Sequence, residues 1–281
     1  MTETNNRIRL LFRAPTPDFH SIEQLFHALL PGLQQTHDID CEHVPYVTPK
    51  PLHILGNCWG ARRHRFALTH ITGHINYTTL ALPEPTVLTI HDVHSAFNGN
   101  PLRDFAVKML WFWGPALACD RITVVSEFSR GELADIMPFA RKKIRIVHNP
   151  CDKKLQFSEK PFRACCPRIL HIGTKPNKNL KRTVQALFDL ECQLVVIGKL
   201  PAEDKAFIEQ ADVLYENHFD LSYDDVIAEY RKCDMVCYPS TYEGFGLPVI
   251  EGNAVGRPVV AGDAGAIPEV AGDAACLVDP Y

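Results

Sequence analysis

Residues 234–252, DMVCYPSTYEGFGLPVIEG, pass from one structural pattern to another within a short distance. The apolar start, DMVCYPS (234–240), is typical of a buried strand. A glycine-containing loop, TYEGFG, follows it, and Pro248 suits the first turn of a helix. A strand, a short loop and a helix in this order form the β–α unit from which parallel sheets are built.

The same alternation runs through the rest of the chain. Strand candidates are IRLLF (8–12), FALTHI (66–71), TVLTI (86–90), ITVVS (122–126) and IRIV (144–147), then RILHIG (168–173), QLVVIG (193–198), DMVCYPS (234–240) and PVVAG (258–262). Helical patterns lie at 21–33, 101–113, 179–190, 223–232 and 248–255. This alternation predicts an α/β fold with parallel sheets that helices cover on both faces.

A domain boundary is indicated at CDKKLQFSEKPFRACC (151–166), where periodicity stops and charged residues and proline appear. A length of 281 residues suits two domains at roughly 150 residues per domain. We predict a first doubly wound, Rossmann-like domain at 1–150, a linker at 151–163 and a second such domain at 164–281. Two domains of this kind would face each other across a cleft, with ligands at the carboxyl ends of the strands.

Composition and charge argue against several classes of protein. A net charge of −4 and a pI near 6.3 provide no general basic field for nucleic acid. No apolar run reaches the ~18 residues of a membrane helix, and MTETNNRIRLLFRAP lacks a signal-peptide core. The ten cysteines include no CxxC pattern, which argues against zinc and favours reduced, mostly buried thiols. We therefore expect a cytoplasmic protein.

The most apolar segment, FAVKMLWFWGPALA (105–118), has two interpretations. The first is a buried helix. The second is a surface helix whose Trp111, Phe112 and Trp113 contact lipid, or a lipid-linked substrate, at a membrane interface. The second interpretation would make the protein peripheral to the inner face of the membrane.

The loop after the strand RILHIG carries a candidate anion site. The strand ends at Gly173, Lys175 and Lys178 follow, and a helix starts near Asn179. Backbone N–H groups at a helix start, with two ammonium groups beside them, predict a diphosphate cradle. The alternative is that both lysines are solvated loop charges.

The loop after DMVCYPS carries the second candidate. Gly244 and Gly246 would let the backbone approach a ligand closely. Glu251 lies about one turn inside the predicted helix, and helical side chains lean toward the N-terminus, so its carboxylate points back toward the loop. Acidic residues also stabilise helix N-termini through the dipole, and that alternative needs no ligand.

These motifs carry a family resemblance. YPSTYEGFGLPVIEGNAVGRPVVAGDAGAIPEVAGDAACLVDP (238–280) resembles the donor-binding segment of the retaining GT-B glycosyltransferases of family 4, the glycosyl transferases group 1. Their signature is two glutamates separated by seven residues, here Glu243 and Glu251. The resemblance extends to HIGTKPNKNL (171–180), DLSYDDVIAEYRKCD (220–234), HITGHINY (70–77), TVLTIHD (86–92) and ITVVSEFSRGEL (122–133). It covers most of the chain beyond residue 65.

The resemblance implies roles for individual residues of the second half. Glu243 would lie by the donor sugar near the reacting carbon, and Glu251 would accept hydrogen bonds from the ribose. Lys178 would bind the diphosphate. The family's nearby arginine is absent, and Lys175 is the closest cation, with Lys199 as a weaker candidate. The remaining donor contacts would come from backbone groups at Gly173, Gly244, Phe245, Gly246 and Leu247.

Two residues of the first half are further candidates. His91, at the end of TVLTI, matches the family's histidine, which faces the sugar or the acceptor. A lone histidine at a strand end is more often structural. Ser126 reads as the N-cap of the helix EFSRGEL, with a role in the cleft as the alternative.

The implied activity is transfer of a sugar from a nucleotide-diphosphate donor, such as a UDP- or GDP-sugar, to the hydroxyl of a glycan or lipid-linked acceptor. Catalysis would involve Glu243, His91 and Lys178, with no cofactor and no metal. Two alternatives stay open: a non-catalytic nucleotide-sugar-binding subunit that needs a partner, and a related GT-B phosphorylase or epimerase. The family usually continues beyond the position of Tyr281, so we expect an incomplete second domain. Either the sequence is a fragment, or a partner chain or an oligomer covers the surface left exposed.

Overall fold

The computed structural model describes residues 7–15, 21–93, 97 and 99–281. The chain divides into two compact units, Met1–His148 and Asn149–Tyr281. The stretch 151–163, predicted as a linker, has no helix or strand and groups with the second unit. Leu155 is buried in the core of that unit, and Lys160 pairs with the carboxylate of Asp234.

The described part of the first unit contains a six-stranded parallel sheet in the order β2-β1-β3-β4-β5-β6. The strands are β1 (Arg7–Phe12), β2 (Asp38–His43), β3 (Leu68–Ile71), β4 (Thr86–Ile90), β5 (Arg121–Val124) and β6 (Ile144–Ile146). The helices are α1 (Ser21–Leu33), α2 (Pro51–Ala61), α3 (Pro101–Val107), α4 (Gly114–Ala118) and α5 (Glu127–Ile136). A π-helical turn (Lys108–Trp113) joins α3 to α4, and 3₁₀ helices occupy Asn76–Ala81 and Pro138–Lys143.

The second unit has a six-stranded parallel sheet in the order β12-β11-β10-β7-β8-β9. Its strands are β7 (Arg168–Ile172), β8 (Gln193–Ile197), β9 (Tyr215–His218), β10 (Met235–Tyr238), β11 (Val259–Gly262) and β12 (Cys276–Val278). Its helices are α6 (Leu180–Ala186), α7 (Ala202–Gln210), α8 (Tyr223–Lys232), α9 (Leu247–Ala254) and α10 (Ile267–Ala271). The predicted α/β class with two doubly wound units is confirmed.

The central strands form because they consist almost entirely of apolar residues, as strands covered on both faces must. Leu88 and Ile122 are fully buried in the first sheet, and Leu170, Val195 and Val236 are fully buried in the second. Each sheet has its own apolar core.

The segment 105–118 is not the buried helix that its composition favours. Phe112 is buried, but Leu102, Phe105 and Leu117 are exposed. In the alternative interpretation, Phe112 is buried and does not reach the surface, whereas Trp113 is exposed; contact of this segment with lipid stays a prediction.

All ten cysteines are free thiols, but only Cys119, Cys192 and Cys233 are buried, so the expectation that most are buried is wrong. Within the described ranges, no helix combines the length and the apolar character needed to cross a membrane.

Candidate functional site

The strand order of the second unit determines which loops meet. The order reverses between β7 and β10, because the chain leaves β7 toward β8 on one side and later adds β10 on the other. Ligands of doubly wound sheets bind at the carboxyl ends of the strands beside such a reversal. The loops after β7 and β10, both predicted as ligand loops, therefore lie side by side.

Hydrogen bonds tie the two loops together. The backbone N–H of Thr241 and the hydroxyl of Ser240 both donate to the carbonyl of Asn177, each at 2.8 Å. The side-chain amide of Asn179 donates to the carbonyl of Pro239 at 3.0 Å. The loops thus form one framework rather than two independent segments.

Gly173 shapes the β7 loop. Its φ of +91° is a left-handed conformation that glycine adopts without strain. A Cβ here would lie 2.9 Å from Cγ of Lys178, because the lysine side chain lies directly over the glycine. Lys178 itself ends a 3₁₀ turn (Pro176–Lys178), and α6 begins at Leu180 after a left-handed Asn179.

Lys178 and Glu243 form the centre of the site. Nζ of Lys178 lies 2.5 Å from Oε1 of Glu243 and 2.6 Å from the hydroxyl of Tyr238. The same carboxylate oxygen accepts hydrogen bonds from Ser240 at 2.5 Å and from the Asn177 amide at 3.3 Å. The lysine and glutamate side chains are 18% and 14% exposed, so water screens their ion pair only in part.

The loop after β11 is a third loop that contacts the backbone of Glu243. The N–H of Ala266 donates to the carbonyl of Glu243 at 3.1 Å. A Cβ on Gly265 would lie 2.9 Å from both the backbone N and O of Glu243, so only glycine permits this approach. Gly265, Asn177, Tyr238 and Ser240 were not predicted from the sequence. Tyr238 is the last residue of β10, and the other three lie in the loops after β7, β10 and β11, so their position at strand ends is the signal that could have identified them.

Glu251 lies on α9 and has a different environment. Its Oε2 accepts a hydrogen bond of 2.5 Å from the hydroxyl of Tyr230 on α8. Burial raises the pKa of Glu251, and the nearby charge of Asp152 raises it further, while the bond from Tyr230 opposes both effects. Burial also raises the pKa of Tyr230, so this hydroxyl stays protonated and donates. Tyr230 is a further residue that the sequence analysis missed.

The loop between the two glutamates is more enclosed than predicted. Gly244, Phe245 and Gly246 are buried, and Leu247 is half-buried. Gly246 has a φ of +103° and forms the N-cap of α9. Pro248 then occupies the first turn of the helix.

The other two lysines predicted to bind the donor lie on the protein surface. Lys175 and Lys199 are exposed, on the loops after β7 and β8. The hydroxyl of Thr174 donates to the carbonyl of Lys199 at 2.8 Å, which joins these two loops. The structure therefore brings Lys178 and Glu243 into contact and leaves Lys175 and Lys199 on the adjacent surface.

His91 belongs to the first unit, directly after β4. Its Nε2 lies 2.8 Å from the carbonyl of Thr72, and only a protonated ring nitrogen can donate there. Burial lowers the pKa of His91 to about 4, so the ring is neutral at pH 7. Ser126, predicted as an N-cap, accepts from the N–H of Ser129 at the start of α5, as that prediction requires.

Comparisons with known proteins agree with this fold. Residues 19–155 match the family model described as Glycosyltransferase Family 4, and residues 154–281 match the model described as Glycosyl transferases group 1. An uncharacterized glycosyltransferase of Methanocaldococcus jannaschii is 25% identical over 178 residues, which are 60% of this chain and 46% of the relative. The match thus spans about half the length of that relative.

Solved structures share the fold at low sequence identity. HepE of Anabaena, solved with UDP and glucose, has a TM-score of 0.68 at 14% identity and covers 93% of this chain and 82% of its own. The sucrose-phosphate synthase of Thermosynechococcus elongatus has a TM-score of 0.72 at 17% identity, with 98% and 86% covered. WaaG, a glycosyltransferase of lipopolysaccharide biosynthesis, has a TM-score of 0.73 at 12% identity, with 97% and 86% covered.

Two family models thus account together for residues 19–281, each matching one half of the chain. The solved structures support the GT-B fold, with a parallel doubly wound sheet in each half. The chain belongs to glycosyltransferase family 4, and a glycosyl transferases group 1 domain forms its second half.

Proposed function

We propose that the protein is a retaining, metal-independent hexosyltransferase that moves a sugar from a nucleotide-diphosphate donor to an acceptor hydroxyl. This proposal rests on the contact between Lys178 and Glu243, which lies where the strand order of the second unit reverses. A donor sugar and its diphosphate are adjacent groups. Binding them requires an anion-binding cation and a hydroxyl-binding carboxylate close together, as these two side chains are. The solved neighbour with UDP and glucose supports a donor of this class.

The donor contacts follow from the chemistry of the side chains. Lys178 binds the diphosphate as a point charge, and Lys175 and Lys199 attract it from the surface. Glu243, oriented by Ser240, accepts hydrogen bonds from the sugar hydroxyls. Glu251 accepts them from the ribose, and a carboxylate oriented by a buried tyrosine is well suited to this.

The reaction breaks the bond between the anomeric carbon and the leaving phosphate oxygen. Negative charge develops on the diphosphate, and Lys178 stabilises it in a partly buried site where electrostatic interactions are strong. The acceptor oxygen bonds to the same carbon from the leaving-group side, and its proton passes to a diphosphate oxygen. Same-face attack retains the anomeric configuration through an oxocarbenium-like transition state.

We also propose a cytoplasmic setting, at the inner face of the membrane, in glycan or glycolipid synthesis. Ten free thiols support a reducing compartment. The exposed apolar side chains of α3 support contact with an apolar phase.

The test begins with a thermal-shift screen against nucleoside diphosphates and their sugars. We expect stabilisation by one base and one sugar, since a ligand that binds only the folded state raises its melting temperature. Incubation of that donor with candidate acceptors should release the nucleoside diphosphate and form a product of retained configuration, measured by NMR. Donor binding without any product would favour a non-catalytic subunit, and the absence of any shift would contradict the proposal.

A further inference from the structure

Tyr238, the last residue of β10, is a buried tyrosine whose packing does not require its hydroxyl. It is 1% exposed and, like Val236 two residues earlier, belongs to the apolar core of the second unit. A phenylalanine ring would fill the same space. Burying a hydroxyl costs free energy unless the hydroxyl is hydrogen-bonded, so its presence here needs an explanation other than packing.

The hydroxyl of Tyr238 lies at the carboxyl end of its strand, where it meets Lys178 of the loop after β7. Nζ of Lys178 donates to this hydroxyl at 2.6 Å and lies 4.9 Å from the centre of the tyrosine ring. Burial raises the pKa of Tyr238 well above its ordinary value, and the nearby charge of Glu243 raises it further. The hydroxyl therefore stays neutral and serves as a hydrogen-bond acceptor for the ammonium group.

Other contacts of Lys178 hold the rest of its side chain. The stem passes over Gly173, where a Cβ would lie 2.9 Å from Cγ and 3.1 Å from Cε of the lysine. Nζ also donates to Oε1 of Glu243 at 2.5 Å. An ammonium group has three N–H donors, and Tyr238 and Glu243 accept from two of them. Two acceptors in fixed positions orient the third N–H, which can donate to a phosphate oxygen.

Glu243 alone would not orient the ammonium group. Its Oε1 is shared with Ser240 at 2.5 Å and with Asn177 at 3.3 Å. An ammonium group with one partner can turn about that single hydrogen bond, whereas a second partner at Tyr238 prevents the rotation. A lysine that is already oriented loses less side-chain freedom when a ligand arrives, and this strengthens binding.

We propose that Tyr238 is a positioning residue, whose hydroxyl holds the ammonium group of Lys178 in the orientation that receives the donor diphosphate. Its assignment to donor binding rests on the proposed glycosyltransferase function. Its hold on Lys178 is a property of the protein alone, so this part can be measured without a ligand.

The ligand-free test uses Tyr238→Phe, which removes the hydroxyl and keeps the ring that fills the core. Tyr215→Phe is the matched control, since the hydroxyl of Tyr215 on β9 donates to Glu209 at 3.3 Å. Acetic anhydride acylates lysines, and mass spectrometry of peptides gives the rate for each one. Loss of a hydrogen-bond partner should speed acylation of Lys178, relative to the exposed Lys205, about threefold or more in Tyr238→Phe and not in Tyr215→Phe. Equal rates in wild type and Tyr238→Phe would overturn the proposal.

Calorimetric titrations of UDP and GDP test whether the hydroxyl acts through Lys178. For the nucleotide that wild type binds, Tyr238→Phe should lower the affinity about fivefold to tenfold. In a Lys178→Met background the same substitution should change the affinity by less than about twofold, because the group that it positions is gone. A merely structural role would lower the affinity by the same factor in both backgrounds. That result, or unchanged affinity in Tyr238→Phe, would overturn the proposal.

The two readouts separate this proposal from the proposed function. Nucleotide binding by wild type, with equal acylation of Lys178 in wild type and Tyr238→Phe, would overturn the positioning role alone. Faster acylation in Tyr238→Phe, with no binding of UDP or GDP by wild type, would support the hold of Tyr238 on Lys178 and count against the donor site.

Discussion

The proposed site of the second unit and the region around His91 in the first differ in how many hydrogen bonds hold their side chains in place. At the donor site, one oxygen of Glu243 has three hydrogen-bond partners, and the loops after β7, β10 and β11 support one another. In the first unit, Nε2 of His91 lies 2.8 Å from the carbonyl of Thr72, and α3 carries exposed apolar side chains. The difference indicates that several side chains together hold the proposed donor site in place, so we expect single substitutions there to have the larger effects.

Loss of the central carboxylate should have the largest effect. Glu243→Ala removes the group assigned to the donor sugar and leaves Lys178 without its ion-pair partner. We expect turnover to fall about a hundredfold or more, the scale for losing one group that contacts the reacting centre. Steady-state kinetics measure this effect, and Glu203→Ala on α7 is a surface control. Near-wild-type turnover would mean that the organised cluster is structural.

Glu251 should affect binding rather than turnover. Glu251→Gln removes a charged hydrogen-bond acceptor for the ribose, and we expect donor affinity to fall about tenfold, with a smaller change in kcat. Calorimetry measures the affinity. A large fall in kcat at unchanged affinity would contradict the division of roles between the two glutamates.

Glu251→Gln also tests how the buried carboxylate affects the stability of the folded protein at different pH values. The pKa of Glu251 is raised in the folded state, so the folded protein holds this proton to higher pH than the unfolded chain does. Stability should therefore fall as pH rises from the unfolded pKa through the folded one. In Glu251→Gln this contribution to the fall is absent, as urea unfolding at several pH values would show. An unchanged pH dependence would contradict the raised pKa.

Tyr230→Phe tests the pKa of Glu251 independently, because the hydrogen bond from the tyrosine hydroxyl lowers that pKa. Without it the carboxylate should protonate at higher pH, and donor affinity should start to decline at higher pH as the solution is acidified. Titrations of donor affinity across pH would reveal the shift. A purely structural role for Tyr230 would lower the melting temperature and leave the pH profile in place.

Gly265 tests how strictly the third loop positions Glu243. Gly265→Ala places a Cβ 2.9 Å from the glutamate backbone at a φ of +61°, and we expect roughly a tenfold loss of turnover. Gly272→Ala is the matched control, since its φ is also positive, at +49°, but a Cβ there meets nothing within 4 Å. Both variants should lose about 1–3 kcal/mol of stability from backbone strain. Equal turnover in the two would show that the close approach is unimportant.

The last test compares the stability of the two units in acid. His171 of the second unit is buried, and His70 and His91 of the first unit are half-buried; desolvation lowers the pKa of each to about 4. The unfolded chain binds protons at these sites near pH 6.5, so stability should decrease as pH falls from about 6.5 toward 4. Two of the three groups lie in the first unit, which should therefore lose its hydrogen-exchange protection first. Equal loss in both units would contradict this ranking.

The sequence predicted the central strands well and the edges poorly. Three strands were missed, β2 (DIDCEH), β9 (YENH) and β12 (CLV), and each lies at the edge of its sheet. An edge strand is covered less completely than a central one, so it need not be a continuous apolar run. The composition of 105–118 favoured a buried helix, but Phe105 and Leu117 are exposed, because composition alone does not determine which side chains other elements cover.

The donor site was predictable in part. Lys178 and Glu243 each follow a predicted strand, and the family resemblance assigned both to one ligand. The supporting contacts were not predictable from local pattern, because they join residues far apart in sequence, such as Tyr230 with Glu251 and Gly265 with Glu243.

The central claim is that the organised cluster around Lys178 binds a nucleotide-diphosphate donor. Calorimetric titration of the preferred nucleoside diphosphate into wild type, Lys178→Met and Lys205→Met tests it most directly. Lys205→Met is the control, because Lys205 is an exposed lysine on α7 whose ion-pair partner is also exposed. We expect saturable binding by wild type and Lys205→Met, and at least tenfold weaker binding by Lys178→Met, since a charged contact to phosphate is lost. Undiminished binding by Lys178→Met would contradict the account.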